Sequence, residues 1–451
     1  MTEAQLVKAT IVFGCPLAWL IDRLSKGALV NRGECQRMNE RKEGMTVDAG
    51  VLAGPSAGQD RFDILDALRG FALFGIFLAN IRFFGGWEFL GDEQRTALAS
   101  DGYQWIEFLH LALIDGKFYT LFAFLFGLGF ALQLQRLEAR GASATRIYLR
   151  RTTILLVIGL IHLFLVWVGD ILTPYALLGF LLLAVRRWSD RTLLIAAGIS
   201  LFLPIVGYVL FWLLNIDRSL GLYAVSFSIM PNDGADPLAG LLYTDWSDRL
   251  QEAVGGGVLR FGYLFDTWRW PKLFAIMLLG LWAGRRLING ELFENTRLLV
   301  GVLLIGGLCG VIAGPIVASL GGLGFNRPYS LQDFSAVVAS TFAVIPLGLA
   351  YAAAFALAWR FAAGILRIFA APGRMALTHY LSQTLISLSV FYGIGLGLAG
   401  QWSVQALLGF ACAVYVFQVI FSLIWLRFFR YGPMEWIWRA LTYGKAPQLR
   451  R

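Results

Sequence analysis

Apolar residues run along this chain in long blocks separated by short polar breaks. The blocks fall at about 68–85, 114–135, 150–169, 171–187, 191–214, 270–289, 296–320, 335–360, 375–397 and 403–427. A helix crossing a hydrocarbon core of about 30 Å needs about 20 mostly apolar residues. The pattern therefore predicts an all-α fold, a polytopic membrane helical bundle of about ten transmembrane helices over residues 61–430. Three stretches break it. Residues 1–60 are polar, Gly-rich and basic and read as a partly disordered cytoplasmic arm, with Met38 and Met45 as alternative starts. Residues 215–268 read as a long outer loop. Residues 431–451 read as a tail, in which Gly432 to Tyr443, with Trp436, Trp438 and Arg439, suits an interfacial helix. Tyr103 to Ile114 is amphipathic and is expected along the outer surface.

Charge orients the bundle. Arg136, Arg140, Arg146, Arg150 and Arg151 lie between the second and third blocks, and Arg186, Arg187 and Arg191 between the fourth and fifth. Arg285 and Arg286 follow the sixth, and Arg360, Arg367 and Arg374 separate the eighth from the ninth. The opposite connections are short or acidic. Lys and Arg accumulate on the cytoplasmic side of membrane proteins, so both termini are expected in the cytoplasm. Composition agrees: the 451 residues are 58% hydrophobic and only 15% charged. The net charge of +9 is thus a topology signal, and no nucleic-acid partner is expected. The four Cys are scattered and offer no metal spacing. No phosphate-binding loop, zinc motif, nucleophile elbow or dinucleotide fingerprint occurs.

Charges and amides are costly in hydrocarbon and usually face protein or a water-filled cavity. The first block opens with Asp66 and Arg69, three apart and able to pair. Asn80 follows eleven positions after Arg69, on nearly the same face and roughly 16 Å along the axis. The third block repeats this spacing with Arg151 and His162. A buried His needs a partner, and His162 is the best general-base candidate of the three His, or else a core His joining two helices. Asp115, Lys117, Asp170 and Tyr175 sit at the outer edge, either holding a polar acceptor or fixing the loops. His379 lies with Thr378, Ser382 and Gln383 in a polar patch beside Arg374, suited to a substrate or to helix–helix hydrogen bonding. His110 falls on the amphipathic outer segment, where a surface position competes with a catalytic one. The Phe-rich run 118–130 reads as lipid-facing and packing surface.

The stretches LDALRGFALFGIFLANI, DGKFYTLFAFLFGLGF, YLRRTTILLVIGLIHLFLVWVGDILTPYALLG, GRMALTHYLSQTLISLSVFYGIGLGLAG and GPMEWIWRALTYGK together resemble the YeiB-like family of bacterial inner-membrane proteins. The resemblance covers most of residues 61–445. Through the first span, this family is similar to heparan-glucosaminide acetyltransferases and to the wider membrane acyltransferase group. Asp66, Arg69 and Gly70 match the shared LD-x-LRG pattern. The wider group carries a catalytic His eleven residues beyond the Arg, where this chain has Asn80. The heparan-type enzymes carry a His in the following loop, where His110 is the first to occur here. The resemblance implies transfer of an acyl group from cytoplasmic acyl-CoA to a glycan or small polar acceptor in the envelope or periplasm. Arg69, Arg150, Arg151 and Arg374 would hold the donor phosphates. His162 or His110 would be the base, and Asn80 the oxyanion donor. No tightly bound cofactor is implied beyond acyl-CoA as donor. Intramembrane Arg, His and Asp equally suit a transporter or flippase for a polar or anionic metabolite.

Overall fold

The structure, a computed structural model, describes residues 63–98, 102–139, 141, 143–324 and 326–451. The expected arm over 1–60, with Met38 and Met45, lies outside the described residues, as does Arg140. The described residues are helical, with one isolated β-bridge between Phe429 and Arg450. The main helices are α1 Asp63–Phe84, α2 Tyr103–Leu109, α3 Lys117–Ala139, α4 Ala144–Ile161, α5 Leu172–Val185, α6 Asp190–Leu213 and α7 Trp246–Asp266. They continue with α8 Arg269–Ile288, α9 Thr296–Ser319, α10 Leu331–Leu366, α11 Ala376–Phe391, α12 Val404–Phe428 and α13 Pro433–Tyr443.

Seven segments are long and apolar enough to cross a membrane: Asp63–Phe84, Tyr103–Ala139, Ala144–Val166, Asp190–Leu213, Thr296–Ser319, Leu331–Arg374 and Val404–Phe428. The other three expected spans correspond to α5, α8 and α11, of 14, 20 and 16 residues. At 1.5 Å per residue α5 covers only about 21 Å, so it reaches across part of the core. The lipid-facing side is legible in exposure. On α6, Ile195, Ile199, Phe202, Val206, Leu210 and Leu213 are exposed in steps of three and four. Ile305, Leu308 and Ile312 do the same on α9. Apolar faces this continuous are unfavourable in water and ordinary against lipid. The protein is thus a multi-pass membrane protein.

α1 and α3 form the interior. Phe118 and Phe130 are buried, so the aromatic run of α3 serves internal packing more than lipid contact. Gly127 and Gly280 bring α3 and α8 together backbone to backbone. A Cβ on Gly127 would lie 2.1 Å from the Met277 carbonyl oxygen, and one on Gly280 2.2 Å from that of Phe124. Small residues permit such approach in membranes, where packing has to replace the hydrophobic drive. Gly70, the last residue of the LD-x-LRG pattern, has the same role. Its absent Cβ would lie 2.0 Å from the Phe369 carbonyl oxygen, and that of Gly373 1.7 Å from the Asp66 carbonyl oxygen. The N-terminal turns of α1 therefore rest directly on residues 369–373.

The two ends of the bundle differ. The Arg-rich connections share one end, called here the basic end; residues 215–268 cover the other, the loop end. That segment is folded, chiefly as Leu222–Ile229 and α7. Arg218 fastens it by pairing with Asp266 (2.9 Å) and with Asp333 at the start of α10, and by donating to the Arg327 carbonyl at 2.6 Å. Burial pushes the Asp266 carboxyl up, against the pull of Arg218. At the basic end, α13 lies against α4 and α11. Its Glu435 accepts from the Leu377 N–H (2.7 Å), the Thr378 N–H (3.1 Å) and the Thr378 hydroxyl (2.6 Å), capping the start of α11. Burial raises this carboxyl and the hydrogen bonds oppose that rise.

Gly70→Ala is expected to cost about 1–3 kcal/mol or more, because backbone cannot yield as a side chain does. Gly409→Ala, where a Cβ meets nothing within 4 Å, should stay within about 0.5 kcal/mol of wild type. Unfolding in mixed micelles checks the pair, and equal stabilities would contradict the packing.

Candidate functional site

The third span does not end as a plain helix. α4 widens into a π turn over His162–Val166, closed by the Trp167 N–H on the His162 carbonyl at 2.7 Å. Trp167 then turns extended, and the chain reverses through Gly169 and Asp170 into α5. Asp170 starts α5 in the manner of an N-terminal acid: Oδ1 accepts from the Leu172 N–H at 3.1 Å and Oδ2 from the Thr173 N–H at 2.7 Å. Its Oδ1 also lies 2.9 Å from His162 Nδ1. An ionised carboxylate only accepts, so Nδ1 is assigned the proton. Nε2 of the neutral ring is then the acceptor, and the Thr384 hydroxyl lies 3.1 Å from it. His162, Asp170 and Thr384 are 2%, 0% and 1% exposed, so this line of three groups lies inside the bundle. Tyr380, one turn before Thr384 on α11, braces it. Its hydroxyl accepts from the Ile171 N–H at 3.2 Å, and its ring centroid is 5.2 Å from that of His162.

The candidates Asp115, Lys117, Asp170 and Tyr175 all belong to the loop end, in different roles. Asp170 is committed to α5 and His162; it positions the ring and is fully buried. Lys117 is fully buried and donates to the Leu111 carbonyl at 2.6 Å. The Tyr175 hydroxyl donates to the Tyr119 carbonyl at 2.9 Å. Asp115 is half-buried and acts electrostatically on Arg269. Arg269 donates to the Tyr263 hydroxyl at 2.7 Å and lies 5.0 Å over the Tyr119 ring. Arg260, on α7, donates to the Asp170 carbonyl at 3.1 Å.

His110 departs from its expected surface position: it is 3% exposed. A π turn over His110–Ile114 turns it onto α1, where Nε2 lies 3.0 Å from the Leu78 carbonyl and Nδ1 3.2 Å from Arg82. Arg82 can only donate, so Nδ1 accepts and Nε2–H donates. The acceptor nitrogen of His110 is thus held by a guanidinium, a partner with no proton to yield to a base. Arg82 also pairs with Glu88 (3.0 Å) and Glu107 (3.2 Å). Asn80 lies on α1 between Leu78 and Arg82. Its side-chain amide forms no hydrogen bond among the described residues and is half-buried. Trp167 links α1 to His162, stacked at 4.1 Å on Phe84 and 6.3 Å from the His162 ring.

At the basic end, Arg69 pairs with Asp66 at 2.8 Å. Arg69 and Arg439 both act electrostatically on Arg151, whose guanidinium lies 3.8 Å over Trp438 of α13. Arg150 donates to the Leu441 carbonyl at 2.9 Å. Arg374 follows Gly373, which rests on Asp66. The four candidate arginines thus share one end. His379 stands apart from them: its Nε2 lies 2.6 Å from Ser422, within a ladder where Gln383 donates to Gln418 at 2.9 Å. That is the helix–helix reading of the polar patch. Ladder residues occupy one face of α11, and Tyr380, Thr384 and Ser387 another. The spacing of those three at i, i+4 and i+7 was the sequence signal for the face that meets His162. Lys272 was another signal, a cation within an expected span; it donates to Ser340 at 2.9 Å.

Removing His162 and Asp170 together should cost less than the sum of the single losses. A His162→Ala, Asp170→Ala double-mutant cycle in unfolding free energy is expected to show coupling of about 0.5–3 kcal/mol. Strict additivity would mean the pair is not formed.

Relatives of this chain fall in one group. A family model described as "Protein of unknown function (DUF418)" matches residues 283–445. The "Uncharacterized protein YxaH" of Bacillus subtilis (strain 168) is 32% identical over 404 residues, spanning 86% of this chain and 96% of that protein. An "Uncharacterized 39.9 kDa protein in amylase 3'region" of Bacillus acidopullulyticus is 31% identical over 394 residues, 87% and 96% of the two chains. The "Uncharacterized protein YeiB" of Escherichia coli (strain K12) is 33% identical over 404 residues, 85% and 96%. Identity at this level over nearly the whole of each relative settles descent: the chain belongs to the YeiB-like family.

Proposed function

We propose that this protein is a bacterial inner-membrane acyltransferase. It takes an acyl group from acyl-CoA at the basic, cytoplasmic end and passes it to a glycan or small polar acceptor reached from the loop end. The observation that carries this reading is the Asp170–His162–Thr384 line. A carboxylate holds an imidazole so that its unprotonated nitrogen faces a hydroxyl, the arrangement by which a base removes a proton from an attacking oxygen. In the proposed step, His162 Nε2 takes the proton of the acceptor hydroxyl or amine as that atom attacks the thioester carbonyl. The new C–O or C–N bond forms, the C–S bond breaks, and the proton passes to the departing thiolate, giving free CoA. Thr384 occupies the position a hydroxyl acceptor would take. The uncommitted amide of Asn80 is the donor for the developing oxyanion. Arg69, Arg150, Arg151 and Arg374 would bind phosphate, and guanidinium forks suit that task. The likeness of the LD-x-LRG stretch to membrane acyltransferases points the same way.

A second reading, a proton-coupled transporter for a polar or anionic metabolite, is favoured by Lys117 and Lys272, which are buried with only neutral oxygen acceptors. One preparation separates the two. Purified protein in vesicles, given a panel of short acyl-CoAs, should release thiol above background. His162→Ala should lower the rate by about 100-fold or more. Wild type and His162→Ala equally inert, with no CoA binding, would contradict acyl transfer. Uptake driven by a pH gradient without thiol release would favour transport.

A further inference from the structure

The loop end treats its arginines unequally. Arg218 is buried and paired with two carboxylates, Asp266 and Asp333. Arg82 is buried and paired with Glu88 and Glu107. The fold thus neutralises a guanidinium where the task is to fasten elements together, as the cost of a lone buried charge requires. Arg260 and Arg269 have no such partner. Neither forms an ion pair with a carboxylate among the described residues. Arg260 donates to one backbone carbonyl, that of Asp170, and its Nε is shut from solvent with no hydrogen-bond partner among the described residues. Arg269 donates to one phenol, Tyr263. A guanidinium has five N–H donors, so most of the donors of both remain unused.

The two arginines also repel each other, and Lys272 stands close enough to Arg269 to add to the positive field. Asp115 is the carboxylate acting on Arg269, and it is shared with Lys117. Asp170 is already committed to His162. Positive charge is therefore in excess at this spot. Arg260, Arg269 and Tyr263 each keep part of their surface exposed, although the Arg260 Nε itself is shut in. The ring of Tyr263 lies 5.4 Å from the Arg260 guanidinium and 4.8 Å from that of Arg269, so one aromatic ring is shared by both.

We infer that Arg260 and Arg269 form an anion-binding site at the loop end, for a carboxylate or phosphate carried by the molecule that enters there. A planar fork from each arginine can grip such an anion, neutralise the excess charge and use the idle donors. Arg260 rests on the carbonyl of Asp170, whose carboxylate holds His162, so the bound anion tethers the remainder of its molecule beside the His162 line. The inference deepens the acyl-transfer reading by naming an anionic acceptor class, and rests on that reading only for the word acceptor.

Binding tests it without turnover. The purified full chain in phosphatidylcholine nanodiscs is titrated with radiolabelled inorganic phosphate, with glucose 6-phosphate and glucose as competitors. The expected result is saturable phosphate binding, displaced by glucose 6-phosphate and not by glucose. Arg260→Gln and Arg269→Gln should each weaken it at least tenfold, while Arg286→Gln at the basic end should not. If Arg269→Gln does not yield monodisperse protein, Arg260→Lys decides, since it keeps the charge and loses the fork; weaker binding is expected. Nanodiscs containing phosphatidylglycerol identify the source: loss of labelled phosphate there would make the anion a lipid headgroup, and retention a soluble solute. Absence of saturable binding by wild type, or wild-type binding in both Arg260→Gln and Arg269→Gln, would overturn the inference. A silent thioester assay would leave it standing, and thiol release without phosphate binding would overturn it alone.

Discussion

The buried carboxylate of Asp170 is the constraint on which the centre of this bundle depends. A carboxylate in a low-dielectric interior needs donors on its lone pairs. Two come from the first N–H groups of α5, and the third from His162, eight residues earlier. One side chain thus ends the third span, begins α5 and fixes an imidazole in a single tautomer. The π turn after Ile161 makes this possible by swinging His162 out of helical register. Thr384 and Tyr380 then close the arrangement from α11, and Arg260 from α7. Two helices distant in sequence thus meet the hairpin between α4 and α5.

The spans were legible because their cause is local. A membrane helix must satisfy its own backbone, so an apolar run of sufficient length announces itself. Exposure on α6 and α9 matches that expectation. The interfacial tail helix was legible for a similar reason, from its aromatic and basic residues. The LD-x-LRG pattern was visible as a string, but its Gly70 acquired a physical meaning only once residues 369–373 were found resting upon it. The pairing of Asp66 with Arg69 followed from helical spacing alone.

Contacts between helices were not legible, because spacing fixes a face and not what meets it. His162 was identified as a buried group needing a partner; neither Asp170 nor Thr384 could be assigned to it from periodicity. His110 was read from its amphipathic surroundings, and the π turn that rotates it onto Arg82 leaves no trace in the pattern. Arg260 was hidden inside a stretch read as loop, though it belongs to a 21-residue helix that covers the site. Asn80 and His162 have equal spacing from Arg69 and Arg151, and Trp167 packs against both Phe84 of α1 and the His162 ring. The four candidate arginines share the basic end, while the loop end is richer in cations than its acidic loops suggested.

Asp170 holds His162 with a protonated Nδ1 and an unprotonated Nε2 directed at Thr384. Nitrogen-15 NMR of histidine-labelled protein tests it most directly, with the His162→Ala spectrum assigning the signal. His162 should show Nδ1 protonated and Nε2 unprotonated at neutral pH, the reverse of His110, and Asp170→Asn should abolish that state. A His162 ring protonated on Nε2 alone, or unchanged by Asp170→Asn, would contradict the account.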